Sequence, residues 1–233
     1  MKKVFLFLAG IICVAVLNAQ SVDEIVKKFA AANKYEKAAT LKTIRISAKM
    51  SMMGMDIPIE MWMKNPNKIK VVQNLMGQEI IQVFDGTNGY LVNPASGGTT
   101  PVPLTKEQIV EVQRNNLFTN PLDAYLKEGK LTLEGEESVK GKPAYKLKVT
   151  IDPANPMTVF IDKASYLLVK SAMTVNQGGA SMAVESYPSD YQEIGGILVP
   201  MKTTLSATGI EMVTTFTKVE VDTPIDDSVF KLK

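Results

Sequence analysis

Residues 44–83 read IRISAKMSMMGMDIPIEMWMKNPNKIKVVQNLMGQEIIQV, and this stretch decides the fold. In its first arm Ile44, Ile46, Ala48, Met50 and Met52 alternate with Arg45, Ser47, Lys49 and Ser51. Beyond Gly54, the residues Ile57, Ile59, Met61 and Met63 alternate with Pro58, Glu60, Trp62 and Lys64. A period of two is the mark of a strand with one face on an apolar interior and the other in water. The turn Asn65-Pro66-Asn67 leads into a third strand, where Ile69 and Val71 keep the inward parity. A turn at 74–77 leads into a fourth, from which Ile81 and Val83 are assigned to the same wall. Residues 50–63 hold six methionines, Met50, Met52, Met53, Met55, Met61 and Met63. Methionine is flexible and polarisable, so it fills irregular gaps and suits surfaces that accept varied apolar partners. Two readings follow: an ordinary β core that uses Met, or the wall of an apolar cavity. Periodicity alone does not separate them.

Outward from this meander the pattern stays mostly β. Ser21 and Glu24 form a capping-box pattern, and Val22, Ile25, Val26, Phe29 and Ala30 follow helical spacing, which predicts an amphipathic helix over 21–33. Residues 34–43 are transitional, and 93–103 read as a loop rich in Pro, Gly, Ser and Thr. Thr105 and Gln108 form a second capping box opening a helix through Leu117, with Ile109 and Val112 inward. Asn120-Pro121 starts a short helix bearing Leu122 and Tyr125, stopped by Gly129. This helical island is either a connector between two sheet halves or a lid. From Lys130 the strands resume, with clean alternation over 144–151, a turn signal at 176–179 before 180–187, and Gly195-Gly196 before the last hairpins. The tail 224–233 reads as extended, with Phe230 and Leu232 as apolar pegs. The expected architecture is mainly β with helices (α+β): an incomplete, open antiparallel barrel of about 10–12 strands with an N-terminal helix and a mid-chain helical lid.

Composition removes several function classes. Lys2 and Lys3 precede an apolar run from Val4 to Leu17, then Asn18-Ala19 and Gln20. Such a basic start, short apolar stretch and small residue is a secretory signal, cut near Ala19, and it implies an exported, periplasmic protein whose residues 20–233 form one domain. The run is shorter than the roughly 20 residues of a spanning helix. The single cysteine, Cys13, lies inside this segment behind Ile12 rather than a small residue, which argues against lipid modification there. The whole chain has 26 basic and 24 acidic residues; without Lys2 and Lys3 the counts are 24 and 24. A neutral, mixed-sign chain gives no electrostatic case for nucleic acid. There is no histidine, which removes Ser-His-Asp and Cys-His catalysis and His-ligated zinc.

Other constellations are thin. Asp226-Asp227 and Asp152 sit in turn contexts where Asp serves its own backbone, so no metal is expected. Gly178-Gly179 and Gly195-Gly196 are hairpin glycines with no helix behind them to make a phosphate cradle. Glu134, Glu136 and Glu137 read as a solvated run. Neither an enzyme nor a cofactor is expected.

The order of elements resembles the periplasmic outer-membrane lipoprotein carriers, the LolA-like lipoprotein-sorting family. Met61-Trp62-Met63-Lys64-Asn65-Pro66-Asn67-Lys68 is similar to that family's aromatic-x-Lys-Arg-Pro-Asn turn. Val83-Phe84-Asp85-Gly86-Thr87-Asn88-Gly89-Tyr90-Leu91, then Asn93-Pro94, resembles its strand–Asp-Gly–strand segment, and 191–199 with Val229-Phe230 resembles its ending. The resemblance implies an apolar concave face that holds acyl chains under helices. It implies as partners acylated lipoproteins or lipids, an inner-membrane release complex and an outer-membrane acceptor, bound by a monomer with no nucleic acid. The implied cavity wall is Ile44, Ile46, Met50, Met52, Ile57, Ile59, Met61, Met63, Ile69, Val71, Ile81 and Val83, and the implied lid Ile109, Val112, Leu122 and Tyr125. Ile69 and Val71 match the family's inward aromatic positions. Asn65 stands where the family often carries the Arg linked with one-way handover, so this turn is the point of departure. Two other readings stand beside the carrier: a periplasmic sensor of lipid or lipoprotein on the same scaffold, and a lipid-modifying enzyme working through a carboxylate.

Overall fold

A computed structural model of the chain describes residues 20–94, 98–114, 116–150, 157–177 and 180–232. The expected signal segment, Ile151, Asp152 and Gly178-Gly179 lie outside the described residues. One antiparallel sheet of 13 strands runs in the order β6-β5-β4-β3-β2-β1-β13-β12-β11-β10-β9-β8-β7. The chain enters near the middle at β1 (Thr43–Met52) and winds outward through β2 (Met55–Lys64), β3 (Lys68–Leu75), β4 (Gln78–Phe84), β5 (Gly89–Asn93) and β6 (Gly98–Pro103). The helices α3 (Lys106–Arg114) and α4 (Pro121–Lys127) carry it to the opposite edge. It then winds back through β7 (Leu131–Val139), β8 (Lys142–Val149), β9 (Met157–Asp162), β10 (Leu168–Gln177), β11 (Ala180–Ile194), β12 (Ile197–Ala207) and β13 (Ile210–Val221). β13 closes on β1, with Ile44 opposite Val221 and Ile46 opposite Val219. β6 and β7 remain as separate edges, so the barrel is open.

Irregularities in the ladder mark where a sheet this wide bends. The register shifts at Ser47/Ala48, Leu91/Asn93, Leu133/Gly135 and Leu168/Lys170, and such extra residues bend a strand and sharpen its twist. Gly135 takes φ +136°, a conformation available to glycine, and β7 runs through it as one strand. β11 likewise runs as one strand through Asp190, at φ +54°.

The helices sit over one face of the sheet. α1 (Val22–Ala32) starts where Ser21 Oγ accepts from the Glu24 N–H at 3.2 Å, and it buries Ile25, Val26 and Phe29. The Glu24 carboxylate does not complete the box; it accepts from Gln20 and pairs with Lys28. A short helix, α2 (Tyr35–Ala38), occupies the stretch expected to be transitional. One apolar cluster joins β1, β2, β3, β12 and β13 to Ala38, Leu41, Leu104, Val112 and Phe118. A second joins β7, β8 and β9 to α1 and α4, through Ile25, Phe29, Leu122 and Tyr125. Tyr35 packs against both clusters, and burial pushes its hydroxyl up to about 12.

Three further departures concern boundaries. The expected loop at 93–103 contains an edge strand, β6, whose six residues are all exposed. The tail is a 3-10 turn at Asp227–Phe230 rather than extended chain, begun by Asp226 accepting from the Ser228 N–H at 2.8 Å. Phe230 is buried as expected. No helix among the described residues is long and apolar enough to cross a membrane.

Candidate functional site

The register puts most of the expected wall on one face. Ile44 lies opposite Met63, Ile46 opposite Met61, Ala48 opposite Ile59 and Met50 opposite Ile57. Met63 then faces Ile69, and Met61 faces Val71. Side chains directly across a strand pair share a face, so these residues form a continuous apolar track. Met52, opposite Met55, ends it beside the β1–β2 turn. The wall also extends where the sequence reading did not carry it. Met201, Phe216, Val219 and Val221, from β12 and β13, pack against the same cluster.

Ile81 and Val83 do not belong to it. Ile69 pairs with Phe84 and Val71 with Gln82, so Phe84 and Gln82 face inward. Ile81 and Val83 point outward, opposite Val72 and Lys70. The cause is the two-residue turn Met76-Gly77, which inverts residue parity between the strands that it joins. Ile81 lines an outer-face depression of about 600 Å³ with Trp62, Lys70 and the tail residues Val229 and Leu232.

The expected lid divides in two. Ile109 and Val112 of α3 pack over the β1–β3 wall together with Leu117 and Phe118 of the following connector. Leu122 and Tyr125 of α4 pack instead with α1 against β7–β9 and do not touch the meander cluster. Phe118, only 1 % exposed, is the largest side chain that the connector puts into the first cluster, and its sequence context carries no periodic signal. Its place is fixed by Asn116, whose Oδ1 accepts the Phe118 N–H at 2.9 Å and whose Nδ2 donates to Pro66 O at 2.8 Å. Asn65 anchors the other side of this turn, donating to Ala39 O at 3.1 Å and Leu41 O at 2.8 Å. The Asn65–Pro66 turn therefore ties the meander to both α2 and the connector that carries the plug.

With α3 in this position much of the wall is core, Ile44, Ile46, Ile59, Met63 and Ile69 being buried. What stays open is a groove of about 430 Å³ lined by Met61, Met63, Ile69, Val71 and Gln82 on the sheet and by Glu107, Gln108 and Val112 on α3. That volume lies within the roughly 300–1,000 Å³ of small-molecule sites. Depressions of about 600 Å³ beside Trp62 and about 660 Å³ over α1–α2 are larger, but two lysines line the first and three the second, and none lines the α3 groove. Of these three, the α3 groove is the one that meets the buried wall. Thr105 and Gln108 cap α3 reciprocally, at 3.3 and 2.8 Å. Hydrogen bonds from its own N–H and from Thr105 hold the Glu107 carboxyl below its usual range, so an anion stands at the groove mouth. Among the described residues no three His, Cys, Asp or Glu side chains gather where they could hold a metal ion.

An open antiparallel barrel with helices over an apolar concave face defines the class. Solved structures with this fold include a LolA superfamily protein from Nitrosomonas europaea, 13% identical, covering 91% of this chain and 98% of that one at a TM-score of 0.57. A DUF1329 family protein from Desulfovibrio piger is 12% identical, with 89% and 97% covered and a TM-score of 0.59. A domain assigned to outer membrane lipoprotein sorting, from Vibrio parahaemolyticus, is 12% identical, with 89% and 94% covered and a TM-score of 0.57. The chain thus has the fold of LolA superfamily and lipoprotein-sorting proteins. A family model described only as "-like: Uncharacterized protein" matches residues 121–233. No curated protein matches the sequence significantly.

Proposed function

We propose that this protein is an exported, periplasmic carrier that holds the acyl chains of lipoproteins or lipids against the β1–β3 wall and delivers them toward the outer membrane. The observation that carries the reading is the groove between β2–β3 and α3, apolar at its base and continuous with a wall that α3 and Phe118 now cover. Burial of acyl methylenes contributes about 0.8 kcal/mol each, so a chain with a dozen buried methylenes gains on the order of 10 kcal/mol gross. A carrier must also release its load. Displacing Ile109, Val112, Leu117 and Phe118 from the wall exposes apolar surface and offsets part of that gain. The methionines Met50, Met61 and Met63 adapt to chains of different length. The residues 1–19 act as the export signal in this reading, and no catalytic step or cofactor is needed.

The test is extraction of the protein after export in a Gram-negative host. Native mass spectrometry and lipid extraction are expected to find co-purified acylated molecules, and a solvatochromic apolar dye to bind and be displaced by them. A protein that carries no acyl chain and binds no such dye contradicts the carrier.

A further inference from the structure

Seven large apolar side chains are exposed among the described residues; Val102, Val110 and Met173 stand apart on β6, α3 and β10, and the other four gather in one place. Met53 is 77% exposed, Met76 84%, Ile210 40% and Met55 37%. All four stand at the tips of three hairpins, β1–β2, β3–β4 and β12–β13. In the sheet order β4-β3-β2-β1-β13-β12 these hairpins are consecutive, so their tips make one rim at the same end of the barrel.

The turn geometry does not require this chemistry. Met53-Gly54 takes φ +50° and +80°, and Met76-Gly77 φ +52° and +84°, the type I′ pattern that favours Asn or Asp before Gly. Lys140-Gly141 has the same geometry, at φ +49° and +82°, and carries a lysine. A flexible apolar residue at Met53 and Met76 therefore accepts left-handed strain while remaining in water. Segments 51–56, 74–79 and 206–211 contain Asp56, Glu79 and Glu211 but no Lys or Arg. Such a rim has no attraction for anionic headgroups. Its apolar residues stand on three separate projections, which a fluid apolar surface can fill and a rigid partner must match turn by turn. The apolar track of the groove also ends here, through Ile57, Met50 and Met52 to Met55.

We propose that these three hairpin tips are a membrane-contacting rim, which seats Met53, Met55, Met76 and Ile210 in the interface of a neutral lipid surface and brings the end of the apolar track against it. The purpose rests on the carrier reading; the contact itself does not. The test is flotation of the chain from Gln20 onward with phosphatidylcholine vesicles, against a Met53→Asn/Met76→Asn/Ile210→Thr variant. Asn suits the left-handed turn positions, and circular dichroism and a melting curve verify that the variant is folded. The wild type is expected to float with these vesicles equally at low and high salt, and the variant to partition at least tenfold more weakly while binding the apolar dye unchanged. Equal flotation of both proteins, no flotation of the wild type, or flotation only with phosphatidylglycerol vesicles and lost in salt overturns the rim. So does rim-dependent dimerisation in sedimentation without vesicle binding, which makes the tips a contact between copies. A wild type that floats but binds no dye leaves the rim standing and removes the carrier.

Discussion

Asn65 and Asp227 fasten the meander to its neighbours, Asn65 through backbone carbonyls and Asp227 through two lysines. Asn65 stands at the position that the resemblance links with handover, and its amide has a structural task, spanning Ala39 O and Leu41 O. Asn65→Ala removes two hydrogen bonds and is expected to lower stability by about 1–2 kcal/mol in urea denaturation. Asp227 sits between Lys64 at 2.7 Å and Lys68 at 3.0 Å, fastening the tail to β2 and β3. Hydrogen bonds from these lysines lower its carboxyl from the ordinary 3.8 to about 2. A lowered folded-state value means that the stabilisation is fully present above pH 3.8 and fades as the pH falls towards 2. The melting temperature of the wild type should therefore exceed that of Asp227→Asn at pH 7 and converge with it below pH 2. Because the group is exposed, the difference should shrink in salt. At this scale the sequence was legible wherever alternation ran without interruption: Ile44 through Val71 were placed on their face by period two alone. Ile81 and Val83 were not, because the inversion of parity depends on the length of the turn at Met76-Gly77, which alternation within a strand does not record.

Among the elements, α3 and the connector after it are the part that the proposed carrier must displace to uncover its wall. Most of α3 is exposed, and it meets the wall through Ile109 and Val112, with Leu117 and Phe118 following. Phe118→Ala removes the main plug and should destabilise the fold by about 3–5 kcal/mol, measured by chemical denaturation. The same change is expected to tighten dye binding, because less apolar contact must be broken to uncover the wall. Unchanged or weaker binding in a folded Phe118→Ala protein would show that the plug does not compete with ligand. The helices themselves could be read from caps and spacing, as at Ser21, Thr105 and Asn120. Which strands each would cover could not, since amphipathic spacing identifies an apolar face but not its counterpart. Hence α4 was expected over the meander and instead completes the β7–β9 core. Phe118 is not legible for a related reason: it lies outside the helix, held by Asn116, where no period exists to mark it.

At the level of the whole molecule, a sheet of 13 strands opened between β6 and β7 leaves a concave face that helices cover by degrees. Its second half is sealed by α1 and α4, while the first keeps a groove of about 430 Å³ under α3. In the proposed carrier, the half with the groove takes the apolar load and the other half serves as core. The open-barrel class was legible because nearly every strand pairs with its neighbour in sequence. The pairing of β1 with β13 was not, because it joins segments about 170 residues apart through no local signal. The central claim is that apolar ligands occupy the wall formed by Met61, Met63, Ile69 and Val71. It is tested most directly by titrating a solvatochromic acyl probe into the wild type, Met61→Lys and Ile69→Glu. Saturable binding to the wild type and its loss in both folded variants, with export retained, are the expected results; binding unaltered in both variants places the ligand elsewhere.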